Sequence, residues 1–299
     1  MTIHFQISAM YSRRLLIKKS LLLSSLMQTG VFKTLMAASS MPAIKIGACD
    51  WSIGKSSNVE AFDVAKEIGL DGIMVNMGGP DNDLHIRHKE VQEAYKKASG
   101  RTGIIVSSLA LGLFNQFPFH SDPRTQDWIK YSITAAKNLN TKVVLLAFFN
   151  ASDLRNDASR KEAAIQHLKA VMPLAEEAGV ILGIESYLNA KEHEEIMDAV
   201  GSKNLKVYFD FRNTADAGFD PVAEFKKLGK DKVCELHMKE NGFLLGKGSV
   251  DWNGVADAVY AMNYTGNGWM QIEGAIPKGA ETVLSYKHNL AYLRKLFYK

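Results

Sequence analysis

Cysteine is scarce: the chain carries two, Cys49 and Cys234, in 299 residues. Such a pair, in apolar stretches far apart in the chain, has neither the clustered spacing of a structural zinc site nor the density of a disulfide scaffold. Buried free thiols are expected instead. No G-x-G-x-x-G follows the first apolar strand, which removes the main support for an open dinucleotide-binding sheet. Lys247 stands between Gly246 and Gly248 without a Walker pattern around it, so it reads as a loop lysine. The apolar run Leu21 to Met27 is too short to span a bilayer. A basic excess is missing too, once the first 39 residues are set aside. They hold Arg13, Arg14, Lys18, Lys19 and Lys33 and no acid, so 36 basic residues fall to 31, against 32 acidic ones. The computed pI near 8.8 therefore belongs to the N-terminus, and nothing electrostatic argues for nucleic acid as a partner.

That N-terminus reads as an export signal. Tyr11 to Lys18 form a basic region with adjacent arginines, Leu21 to Met27 the apolar stretch, and Ala37 to Ser40 a small-residue cleavage site. A disordered tail, or a true start at Met10, is the alternative. Domains are expected at 1–39, a leader, and 40–299, a single folded unit. Composition allows one large domain, with 46% hydrophobic and 23% charged residues.

From residue 43 onward, strand and helix alternate. Expected strands are AIKIGACDW, GIMVNM, GIIVSSLAL, KVVLLAFF, ILGIES, KVYFDF, VCELHMK and WMQIEG. Expected helices lie near Val59–Ile68, His88–Ser99, Arg124–Asn138, Arg160–Ala178, Lys191–Val200, Pro221–Leu228, Trp252–Met262 and Ala280–Tyr298. Eight apolar runs separated by helices argue for a parallel sheet buried on both sides, and the length suits a closed (β/α)8 barrel.

In such a barrel all strand C-termini open on one face. Glu185, Asp210, His237 and Glu273 each stand at or near the end of one of the last four strands, 25, 27 and 36 positions apart. Two Glu, one Asp and one His make a hard, oxygen-rich site suited to a divalent Mn, Mg, Co or Zn ion. Without a cation the three carboxylates would repel one another and take up protons.

Over roughly residues 44 to 298 the chain resembles the xylose isomerase-like TIM barrels, often labelled sugar phosphate isomerases and epimerases. The resemblance rests on GIES with Glu185, YFDFRN with Asp210 and Asn213, ELHMKE with His237 and Lys239, LGKGSVDW, and MQIEG with Glu273. It implies one divalent metal on Glu185, Asp210, His237 and Glu273, with Glu185 and Glu273 also serving as acid and base on a sugar or keto-sugar. The leader similarly resembles a twin-arginine signal, which implies the Tat export machinery as a partner and a periplasmic or otherwise exported location.

A metal-bound hydroxy-ketone loses the proton between its two oxygens more easily, and two facing carboxylates can take and return it. Epimerisation and isomerisation follow, and elimination from an oxidised glycoside is the runner-up. A non-catalytic sugar-binding barrel is the third reading, though a pure binder has no need of acids on both faces. Asn213 is a candidate for a sugar hydroxyl or a turn former. Lys239, two residues after His237, points to the same side of the strand and binds a substrate oxygen or solvent. Trp51 stacks on a sugar face or packs the rim. Glu240, where relatives commonly have Asp, is a fourth substrate-side candidate. His85, His88, His120, His167, His193 and His288 lie in loops or helices, mostly exposed, which leaves too few histidines at strand ends for a three-metal nuclease site. GIMVNM lacks the acid that many members of the family carry there. The sequence leaves a homo-oligomer open.

Overall fold

A computed structural model describes residues 44–298. The expected leader, its arginine pair and its cleavage site lie outside them. Eight strands, β1 (Lys45–Cys49), β2 (Gly72–Asn76), β3 (Ile105–Leu111), β4 (Val143–Phe148), β5 (Ile181–Ser186), β6 (Leu205–Asp210), β7 (Val233–Lys239) and β8 (Trp269–Glu273), pair in sequence order. All pairings are parallel, and β8 closes on β1 through Lys45 to Ala48 opposite Trp269 to Ile272. The fold is a (β/α)8 TIM barrel. Its strands are apolar on both faces because one face meets the barrel interior and the other the surrounding helices. In β4 all six residues are buried.

Among the described residues nine α-helices follow the strands: α1 (Ala61–Ile68), α2 (Lys89–Thr102), α3 (Thr125–Asn138), α4 (Ala158–Ala178), α5 (Ala190–Val200), α6 (Phe211–Asp216), α7 (Pro221–Leu228), α8 (Trp252–Ala261) and α9 (Thr282–Phe297). Eight match the expected segments within two or three residues. Short polar caps set their starts: Asp157, Asn189, Asp220 and Asp251 each accept a backbone N–H from the first turn, and each such cap contributes about 1 kcal/mol. The extra helix, α6, is only six residues long, below the length at which apolar periodicity shows. Its cap is Asp210 itself, whose Oδ1 accepts the Asn213 N–H at 2.8 Å.

Inside the barrel the core holds Cys49, Met74, Ala110, Leu145, Ala147, Tyr208 and Cys234. Both thiols are free and buried, as expected. Glycine keeps this interior from overfilling: a Cβ at Gly183 would stand 2.7 Å from Cys234 Sγ and 3.2 Å from Tyr208 Cβ. Polar groups hydrogen-bond to one another across the same interior. Glu235 Oε2 accepts from Ser108 Oγ and from Tyr208 OH, both at 2.9 Å, and Gln271 Nε2 donates to Ser107 Oγ at 2.8 Å.

The histidines depart from expectation. Of those described, only His288 is exposed, and His193 is buried between α5 and the end of β5. Its Nδ1 lies 3.0 Å from the Asn189 carbonyl, which can only accept, so Nδ1 carries the proton. Ser186 Oγ then donates to Nε2 at 2.9 Å. This neutral imidazole has no room for a second proton, and burial holds it down to about 4 from an ordinary 6.5. Because the unfolded chain binds that proton first, stability drains as pH falls from about 6.5 toward 4. The loss from this one group reaches about 2 kcal/mol by pH 5. Other buried groups shift stability the opposite way over this range, so the measure is the contrast: between pH 7 and pH 5 in urea unfolding, the parent should lose about 2 kcal/mol more, or gain that much less, than His193→Gln. Equal pH dependence in both would show that the buried imidazole is not its source.

Candidate active site

The four strand-end residues meet. One ligand-capable atom from each of Glu185, Asp210, His237 and Glu273 lies within 4.8 Å of the others. Register explains how. Asp210 stands level with His237 across the β6–β7 pair, and Lys239 level with Glu273 across β7–β8. Alternation along β7 then points Glu235, His237 and Lys239 to the same side.

Each carboxylate is anchored through one oxygen. Glu185 Oε1 accepts from Asn213 Nδ2 at 3.0 Å and lies 2.9 Å from His237 Nδ1. Asp210 Oδ1 is the cap of α6, while its Oδ2 is buried with no hydrogen-bond partner. Glu273 Oε1 accepts the Trp51 indole N–H at 3.0 Å, and its Oε2 is likewise buried without a hydrogen bond. That Oε2 lies 2.9 Å from Lys239 Nζ, an ion pair without the angle of a hydrogen bond, and 3.4 Å from His237 Nδ1. The other imidazole nitrogen, Nε2, faces Cys49 Sγ at 3.4 Å, and the Tyr208 ring packs against the imidazole at 4.6 Å between centroids.

The charges balance only through one another. Burial alone would keep His237 neutral, but Glu185 and Glu273 override it and lift the imidazole to about 9. Burial pushes the Asp210 carboxyl upward, against the pull of Lys239. It pushes Glu273 the same way, yet His237 and Lys239 prevail and hold that group well below the carboxylate range. Burial also works against the Lys239 charge, which Glu273 and Asp210 nonetheless keep in place. An Asp210 oxygen with no hydrogen bond and a Glu273 oxygen held only by its ion pair with Lys239, both beside an imidazole nitrogen, form a donor set suited to a divalent cation. The residues present therefore fit such an ion.

A cavity of about 540 Å³ opens over this group, within the range of small-molecule clefts. Trp51, Glu185, Lys239 and Glu273 line it. Asp210 and His237 are covered almost entirely. Trp51 is thus at the cavity, and its indole also fixes Glu273. Lys239 is there as well, paired with acids and not free in solvent.

Two expected substrate-side residues are placed otherwise. The amide of Asn213 is buried and spent on Glu185, so it orients an acid and does not reach the cavity wall. Glu240 is wholly buried and accepts from Ser249 N–H, Val250 N–H and Trp252 Nε1, at 3.3, 3.1 and 3.0 Å. It clamps the loop between β7 and α8. A residue one past Lys239 points to the opposite side of the strand, which is why proximity in sequence misled. Lys247 is exposed in that same loop.

Three buried acids escaped the sequence reading, and one of them, Glu224 in α7, lies outside the barrel, where it accepts the Ala190 N–H at 2.7 Å and pairs with Lys227. Asp50, directly after β1, accepts the Ser57 and Asn76 N–H groups through Oδ2 at 2.9 and 3.1 Å, and burial pushes it up to about 7. Glu235 lies beneath His237, and burial raises it to about 7 against the hydrogen bonds of Ser108, Tyr208 and Asn267. Its signal was present: an acid two positions before His237, inside an apolar strand and on the same face.

A closed eight-stranded barrel with an acid and histidine cluster at its C-terminal rim defines the class of protein. The chain belongs to the xylose isomerase-like TIM barrel family, whose pattern matches residues 62–296. A 2-epi-5-epi-valiolone 7-phosphate 2-epimerase of Actinoplanes sp. is 23% identical over 197 residues, 66% of this chain and 72% of the relative. Among solved structures, D-psicose 3-epimerase superposes with a TM-score of 0.69 at 17% identity, covering 85% of this chain and 99% of that one. A 3-keto-D-glucoside 4-epimerase from E. coli gives 0.68 at 18%, covering 84% and 99%.

Replacing Glu240 with alanine should take the acceptor from the buried Trp252 indole N–H and from two part-buried backbone N–H groups and lower stability by about 1–3 kcal/mol, while bound divalent metal per chain stays unchanged. Urea unfolding and elemental analysis of the purified variant measure both. Metal loss with unaltered stability would return Glu240 to the site.

Proposed function

We propose that the protein is a divalent-metal-dependent sugar epimerase or isomerase that moves a proton at a carbon next to a carbonyl. One observation carries this: Asp210 and Glu273 each keep a buried oxygen free of hydrogen bonds and turned toward the same imidazole nitrogen. The names of relatives support the substrate class, since they are epimerases of sugars or sugar-like rings.

Glu185, Asp210, His237 and Glu273 would hold the ion, which when bound polarises a carbonyl and the neighbouring hydroxyl and eases loss of the proton between them. Glu185 and Glu273 reach the cavity from β5 and β8, on different sides of the barrel mouth. One takes the proton and the other returns one, so the centre inverts or the carbonyl moves. Asn213 fixes the first carboxylate and Trp51 the second, which keeps both near the reacting carbon. Lys239, within the cavity wall, binds a substrate oxygen as negative charge builds there. Trp51 excludes water from one side.

A keto-glycoside is the second substrate reading. It is favoured by the structural likeness to a 3-keto-D-glucoside 4-epimerase and by a cavity with room beyond the acid cluster. The same two carboxylates would give elimination if a leaving group sat β to the lost proton. Export through the twin-arginine route, implied by the leader, would bring the enzyme to unphosphorylated or oxidised sugars outside the cytoplasm.

Protein loaded with Mn or Co should hold about one ion per chain and exchange a carbon-bound proton of a ketose for deuterium, followed by NMR. Glu273→Gln should slow exchange by a factor on the order of 10³ with its fold intact by circular dichroism. Wild-type exchange in that variant would remove Glu273 from the chemistry. His237→Ala should lose the metal on dialysis, and retention of a full equivalent would displace His237 from the ligand set.

A further inference from the structure

Away from the acid cluster the cavity is walled by three loops, those following β1, β2 and β3. The loop after β2 carries Gly78-Gly79-Pro80, a composition that could present backbone N–H groups to an anion. Its amides are already taken. Gly78 N–H donates to Asn76 Oδ1 and Gly79 N–H to Asn82 Oδ1, both at 2.9 Å. In the neighbouring loop Ser57 N–H donates to Asp50 Oδ2. The contact requires glycine, because at a positive φ of 90° the Asn82 side chain fills the space where a Cβ of residue 78 would stand.

Charge points the same way. Lys239 is the one cation among the described residues lining the cavity, and it is held against Glu273 at the reacting end. The lysine and arginines of the distal loops are paired with acids as well, Lys55 with Glu60, Arg87 with Asp83 and Arg124 with Asp122. Asp81, on the distal wall, adds a negative group instead. Against this stands an unmet polar need: Asn115 Oδ1, on a residue that lines the cavity, is buried with no hydrogen-bond partner. Neutral amides and hydroxyls in that wall, Asn115, Gln116, Ser56 and Ser57, exchange hydrogen bonds with sugar hydroxyls and supply no countercharge to a phosphate dianion.

We propose that the end of the substrate remote from the reacting carbon is uncharged and hydroxyl-bearing, so that the enzyme takes free sugars or glycosides and rejects their phosphate esters. This rests on the proton-transfer reading above, and it separates the chain from relatives whose names specify a phosphorylated substrate. The carbonyl end lies at Glu185 and Glu273, and the polyol end lies among Asn115, Gln116 and Ser57.

The test compares D-psicose and L-ribulose with their terminal phosphate esters on metal-loaded protein, by deuterium exchange and by calorimetry. A kcat/KM at least tenfold higher for a free sugar than for its ester is expected. Asp81→Lys should raise the ester's kcat/KM fivefold or more. An ester turned over as well as the free sugar overturns the inference. An unchanged ratio in Asp81→Lys overturns the placement of the distal end against that loop. Binding of the free sugar alone, with exchange in neither, ends the proton-transfer reading and upholds the specificity. Binding of neither ends both.

Discussion

Everything at the barrel mouth depends on three carboxylates being forced together beside one imidazole, where water cannot screen them. Repulsion at such distances in a poorly polarisable interior is large, and proteins relieve it with protons, countercharges or a metal. Here the chain supplies two cations, His237 and Lys239, from the same strand and face. It also ties one oxygen each of Asp210 and Glu273 to a fixed donor, so the second oxygens cannot swing away. The arrangement is preorganised for a doubly charged guest, and the imidazolium marks where that guest competes with a proton.

Support for the cluster comes from below as well as from the rim. Glu235, Tyr208, Ser108 and Asn267 form a polar network inside the barrel, and Tyr208 also packs against the His237 ring. Metal-binding histidines usually give their second nitrogen to a carboxylate or carbonyl. In this chain that nitrogen meets the Cys49 thiol, with Met74 Sδ 3.8 Å beyond. A soft, weakly accepting neighbour pulls less on the imidazole proton than a carboxylate would, which leaves the electrostatics of the ring to Glu185 and Glu273.

Much of this was legible in the sequence because the signals were long or repeated. Eight apolar runs at βα spacing specify a barrel, and a barrel sends the ends of β5 to β8 to one rim, so Glu185, Asp210, His237 and Glu273 could be grouped without coordinates. Short-range geometry was not legible. Asn213 lies three residues past Asp210 in a six-residue helix too short to show periodicity, and only the fold turns its amide to Glu185. Glu240 follows Lys239 directly and therefore faces outward, into a loop whose need for an acceptor is invisible in composition. His193 looked like a surface residue of a polar helix, AKEHEEIMDAV, until the pairing of its two nitrogens with Ser186 and Asn189 showed a filled site.

The buried acids of this barrel differ by what remains unmet after folding. Glu240 receives three donors and stands alone among acids, so its charge is spent on holding a loop. Glu235 is satisfied by two hydroxyls and an amide, and burial makes its proton easy to keep. Asp50 has one satisfied oxygen and one without a partner, but no second acid shares its pocket, and burial moves it toward neutrality instead of toward a cation. Asp210 and Glu273 differ from all three because their unmet oxygens face the same point, with a third carboxylate and an imidazole beside them. A proton can neutralise one isolated acid, whereas a converging set needs a guest that accepts several lone pairs at once. That distinction, and not burial or strand-end position alone, separates the candidate site from the other acids buried in the same fold.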